Sequence, residues 1–167
     1  MNLRGVTFRT PTAEDIEFVA AHMREADRRE LKRWTGCEER WSLINSIKQS
    51  EVCFSGVFPG GKVACIFGST RINLMEATAV IWSLSTDEVD RHRLAFYAGS
   101  KAGVDLICRS LPDVAEFSNW VDLDYVEAVR WIERLGGDFA LNAIREGRCG
   151  GKFGEFYILN PYHKREE

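Results

Sequence analysis

A mixed α/β fold built as one domain is the class the sequence predicts, on three observations. The chain has 167 residues, enough to bury a core without disulfide or metal staples. Alternating β-rich runs and helical apolar periods follow one another along it. No internal repeat, linker or low-complexity stretch divides it.

Residues 5–10, GVTFRT, alternate ahead of Pro11 and read as a first strand. Thr12 and Asp15 stand as the N-cap and third-position acid of a helix. Its inward face is Ile16, Val19, Ala20 and Met23, at i, i+3, i+4 and i+7. A second helical region runs from Ala26 to Gln49, interrupted at Thr35-Gly36, with Leu31, Trp34, Trp41, Ile44 and Ile47 inward. EVCFSGVF and KVACIFGSTRI flank Pro59-Gly60-Gly61 as a hairpin, and ATAVIWSLS continues the antiparallel meander. Ser85 and Glu88 have the spacing of a capping box for a long helix reaching Leu111. Gly99, Ala102 and Gly103 on its face imply close approach to a sheet or ligand. Pro112 ends that helix, and VAEFSNWV is a fifth strand. Asp124 caps a helix from Tyr125 to Leu135, stopped by Gly136-Gly137. DFALNAIRE and GKFGEFYIL finish the sheet around a turn at 147–151. Residues 1–160 are then the domain, and PYHKREE, 161–167, is a polar, frayed tail.

The formal charge of −3 speaks against nucleic acid as partner, because a phosphate-binding domain carries a basic surplus. The five cysteines have no metal-ligand or disulfide spacing. Cys53, Cys65 and Cys108 lie among apolar residues and read as buried thiols of a reducing compartment. The N-terminus has no apolar stretch of the secretory kind, and no run reaches membrane-span length. A soluble, intracellular protein with no metal is the expectation.

The order of strand, helices, three-stranded meander, helix, strand, helix and two strands resembles the GNAT superfamily of acyl-CoA-dependent N-acyltransferases. AEDIEFVAAHM and EAVRWIERLGG are similar to helices of that family. HMREAD (22–27), DRHRLAFYAGSK (90–101) and NWV with RWIERLGG also resemble phage-encoded GNAT-like proteins, some of them internal virion or tail-assembly proteins. This narrower resemblance implies a phage or host protein as partner, and a place in the host cytoplasm or the virion.

The family resemblance implies that acetyl-CoA lies in a splayed gap between the fourth and fifth strands. Its pyrophosphate would sit at the start of the following helix, where free N–H groups and the helix dipole favour anions. Trp82, Ser83 and Leu84 on the strand, and Arg91, His92 and Arg93 after it, are the cofactor-binding candidates. The chain departs from the family here. SLSTDEVDRHRLAF has no glycine before Gly99, and Asp87, Glu88 and Asp90 stand where phosphates would go. The bland reading gives these acids a stabilising role at the positive end of a solvated helix.

The resemblance also implies a tyrosine acid one turn before the last helix's glycine, where this chain has Ile132, which donates no proton. Tyr125 and Asp122 are the catalytic candidates that remain. Tyr125 shares its face with Ala128, Val129 and Ile132, which also fits a core role. Glu51 and Glu76 are further acids a base could come from. The two departures favour a phage protein that keeps the fold with acetyl transfer lost or blunted. The alternative is an active N-acetyltransferase acting on a protein or small amine, and a third reading is an acyl-CoA or anion-binding module without chemistry.

Overall fold

In the computed structural model, which describes residues 5–164, the Thr12 capping box closes as its spacing requires. Thr12 Oγ1 accepts from the Asp15 N–H at 3.2 Å, and Asp15 Oδ2 accepts from the Thr12 N–H at 3.1 Å. It opens α1 (Ala13–His22) after the short strand β1 (Thr7–Arg9). The second helical region divides into α2 (Glu25–Thr35) and α3 (Glu39–Gln49). The break falls at Gly36, whose φ of 70° is the left-handed conformation that glycine adopts without strain.

Three antiparallel strands follow: β2 (Val52–Val57), β3 (Val63–Thr70) and β4 (Thr78–Ser85). Next come α4 (Glu88–Arg91), α5 (Arg93–Ser110), β5 (Glu116–Asp122) and α6 (Val126–Arg134). The hairpin β6 (Asp138–Glu146) and β7 (Lys152–Leu159) completes the chain. The described residues form a seven-stranded sheet in the order β1-β2-β3-β4-β5-β7-β6, in which β4 and β5 run parallel.

The sheet separates two apolar clusters. On one face α1 and α3 cover β3 and β4, with Val19, Leu43, Ile66 and Leu84 at the centre. On the other, α5 and α6 enclose the larger cluster around Ile107, Val114, Phe117, Val121 and Phe156. Among the described residues no helix is long and apolar enough to cross a membrane.

Four local expectations give way to tertiary contacts. Ser85 and Glu88 form no capping box: Ser85 donates to Asp27, and Glu88 is buried and paired with Lys62 and Arg91. The long helix breaks at His92 (φ −128°, ψ 38°), which separates α4 from α5. Asp124 does not cap α6, because its carboxylate accepts from Arg33 at 2.9 Å while Tyr125 occupies the cap position. Trp41 is 55% exposed. It lies two residues from Leu43, about 200° round the helix, so once Leu43 packs inward Trp41 faces out.

The expected frayed end is docked as far as it is described. The Tyr162 hydroxyl donates to Asp105, and Arg109 lies over its ring at 4.8 Å. Residues 165–167 of that tail lie outside the described residues.

Candidate active site

The parallel pairing of β4 with β5 covers only Thr78↔Glu116, Ala79↔Phe117 and Val80↔Ser118. Past these residues the strands part. Asn119 Nδ2 bridges the opening by donating to the Ile81 carbonyl at 2.7 Å. A cavity of about 520 Å³ fills the gap, lined by Ile81, Trp82 and Ser83 of β4 and by Asn119, Trp120 and Val121 of β5. Above it α5 meets α6 through Phe96 and Trp131, stacked with ring centroids 5.7 Å apart, and through Tyr97, whose hydroxyl donates to the Arg134 carbonyl.

One end of this apolar cleft is charged, and α2 supplies the charge. Arg24 at its N-cap, Asp27 and Glu30 all line the cavity. Spacings of three residues keep them on one side of the helix, which faces the open ends of β4 and β5. Asp27 is buried and accepts from the Ser85 N–H at 2.7 Å, the Ser85 hydroxyl at 2.6 Å and the Tyr125 hydroxyl at 3.0 Å. Arg24 donates to the Tyr125 oxygen at 2.7 Å and to Asp90 at 2.8 Å, with Glu127 at 3.4 Å. Burial and the neighbouring Asp27 charge push the Tyr125 phenol well above its usual range, so it stays protonated.

Burial pushes the Asp27 carboxyl above its usual range, and the second raised acid of the cluster is Glu30. Burial pushes its carboxyl up to about 8, against the downward pull of a hydrogen bond from the Asp122 N–H at 2.8 Å. The charges of Asp27 and Asp122 raise it further. A carboxyl on a cleft that exchanges its proton near neutral pH is suited to general acid–base work.

The sequence-predicted residues divide into two groups. Trp82, Ser83, Arg93 and Tyr125 line the cavity. Leu84, Asp122, Arg91 and His92 do not. Leu84 points to the opposite face, into the cluster with Val19 and Leu43. Asp122 is fully buried and accepts from Arg33 Nη1 at 2.8 Å, a structural ion pair away from the cleft. Arg91 is held on Glu88 at 2.7 Å, and the His92 ring lies against Phe58. Of the other acids considered, Glu51 pairs with Arg71, and Glu76 accepts from Asn73 and Thr78 in the loop before β4.

Asp87, Glu88 and Asp90 do not make a uniformly repulsive start to the helices. Glu88 is shared by Lys62 and Arg91, which hold its carboxyl below the usual range. Asp90 lies between Arg24 and Arg93.

No family profile matches this sequence, and no curated protein does. Solved structures do share its architecture. The spermidine N-acetyltransferase of Vibrio cholerae, in complex with CoA and spermine, superposes with a TM-score of 0.68 at 16% identity, covering 93% of this chain and 96% of that one. The ribosomal-protein-S18-alanine N-acetyltransferase of Escherichia coli does so with 0.60 at 17% identity, covering 97% of each. The fold is the GNAT fold.

Within that GNAT frame, sequence reasoning missed Arg24, Asp27 and Glu30. α2 reads EADRRELKRWT, and its charges resemble an ordinary solvated face. The available signal is the three-residue spacing of Asp27, Glu30 and Arg33, which runs beside Trp34. That ring stacks on Trp120 with centroids 6.0 Å apart. Acids on the same stripe as a packed tryptophan face protein rather than water. Ile132 is buried on the cleft wall, so no side chain at that position donates a proton.

Proposed function

We propose that this protein is an N-acyltransferase that moves an acyl group, acetyl in the simplest case, from acyl-CoA to an amine by direct transfer. The observation that carries the reading is the parted β4–β5 pair, whose cavity runs from an apolar interior to Glu30. The proteins of this fold named above, one of them holding CoA, support it. The residues present also suit the donor. The break at His92 starts α5 afresh, so its first-turn N–H groups have no partner within the helix and form a positive end beside Arg93.

The thioester supplies an acyl carbon open to attack and a thiolate leaving group. An incoming amine forms the C–N bond as the C–S bond breaks. Glu30, as carboxylate, takes the proton that the amine loses. The departing thiolate takes up the proton that Glu30 received from the amine, so the step closes without a phenol at Ile132. Tyr125, whose hydroxyl donates to Asp27 and accepts from Arg24, holds the Arg24–Asp27 network in place on the cleft wall.

Thermal unfolding with acetyl-CoA tests the reading. A ligand at a hundred times its Kd adds about 2.7 kcal/mol to stability, and labelled acetyl-CoA should pass its acetyl group to an amine in a lysate or an amine panel. An unchanged midpoint with millimolar acetyl-CoA and no labelled product would overturn it.

A second reading keeps the fold and gives up the reaction: a bacteriophage protein, virion- or assembly-associated, working through a phage or host protein partner. Ile132 favours it, as does the completeness of the Arg24–Asp27–Tyr125 network, in which every polar group already has a partner. An unfolding midpoint that acetyl-CoA leaves unchanged, with no turnover on any amine, would support this alternative.

A further inference from the structure

Three arginines line the cleft, and two of them are in no ion pair among the described residues. Arg93 opens α5, while Arg130 and Arg134 lie four residues apart on α6, and all three line the cavity. Arg93 has a long contact with Asp90, 3.7 Å. Among the described residues neither Arg130 nor Arg134 is in an ion pair, although Glu127 and Glu133 are within helical reach of Arg130. Like charges four residues apart on a helix repel. The pull of cations toward a helix C-terminus accounts for Arg134 in the last turn but less well for Arg130 in the middle. The nearby acids, Asp90 and Glu127, are both engaged by Arg24.

We propose that Arg130 and Arg134 of α6, with Arg93 of α5, form a two-walled grip for the phosphates of a coenzyme A-type nucleotide. This rests on the acyltransferase reading. It makes a guanidinium-built site the replacement for the glycine-lined phosphate loop that the sequence lacks. Guanidinium groups hold phosphate oxygens through paired, charge-assisted hydrogen bonds, so they do not require the close backbone approach that glycines allow. An anion seated between the two helices also relieves the repulsion between Arg130 and Arg134. The Phe96–Trp131 stack places an indole one residue from Arg130, a built-in reporter of occupancy.

The test is titration of coenzyme A into the whole protein by calorimetry and tryptophan fluorescence, repeated across a series of salt concentrations. The wild type should bind with an affinity that falls steeply as salt rises. The Arg130→Gln, Arg134→Gln variant should bind roughly tenfold or more weakly with a flatter salt slope, and Arg93→Gln should act in the same direction. Unchanged unfolding midpoints would show that the variants remain folded. Wild-type affinity and salt slope in the double variant would overturn the grip and leave the acyltransferase reading standing. Failure of the wild type to bind coenzyme A would overturn both.

Discussion

At the scale of single residues, Asp27 carries the heaviest structural duty of the site. Its carboxylate is the acceptor for three protein donors in a buried position. Asp27→Ala would strand the Ser85 N–H and the Ser85 and Tyr125 hydroxyl protons together, while Arg24 keeps Asp90 and Glu127. We expect a loss of about 3 kcal/mol in urea unfolding. Asp27→Asn should cost less, since the amide oxygen still accepts. Glu30 works through its proton. A base is active as carboxylate, so turnover should rise with pH through about 8 and level off above it. Glu30→Gln should abolish that rise and most of the turnover, which a pH–rate profile of the two proteins would show. A rise that survives the substitution would place the base elsewhere. Cys53, Cys65 and Cys108, in contrast, offer no nucleophile: burial pushes Cys53 and Cys65 up to about 12 and Cys108 up to about 11.

At the scale of elements, α5 shows why small residues lie on its inner face. A Cβ at Gly99 would stand 2.9 Å from a Val6 methyl, and one at Gly103 would stand 3.1 Å from the Phe67 ring. Alanine in a helix interior is ordinarily worth about 1 kcal/mol over glycine. Here the overlap should outweigh that gain. We expect Gly99→Ala to be net destabilising by about 1 kcal/mol, read as a lower denaturation midpoint. A stabilised variant would mean that α5 is free to move off the sheet. The parting of β4 from β5 is equally an element-scale property. Asn119→Ala removes the bridge to Ile81 and should cost about 1 kcal/mol while leaving the gap itself in place.

At the scale of the whole molecule, Glu30 ties stability to pH. Its carboxyl titrates at about 8 when folded and near 4.5 when exposed. Between those values the native state holds a proton that the unfolded chain has released, so stability falls as pH rises across that window. Glu30→Gln should flatten the decline when urea midpoints at pH 5.5 and 8.5 are compared. An equal decline in both proteins would assign it to other groups. The sequence by itself determined the order of elements, the Thr12 box, the glycine stops at Gly36 and Gly136, and the meander, because caps, periodicity and turns depend on residues a few positions apart. The helices framing the cleft were legible for the same reason, as was Ile132 in place of a phenol. Only the tertiary structure decided that Asp27 and Glu30 face inward, that Asp122 belongs to Arg33, and that Arg130 and Arg134 line the same cleft as Arg93. Those outcomes depend on which element a charged side chain meets after the chain has folded. Burial and partnership across 89 residues, as between Arg33 and Asp122, leave no local pattern in the sequence.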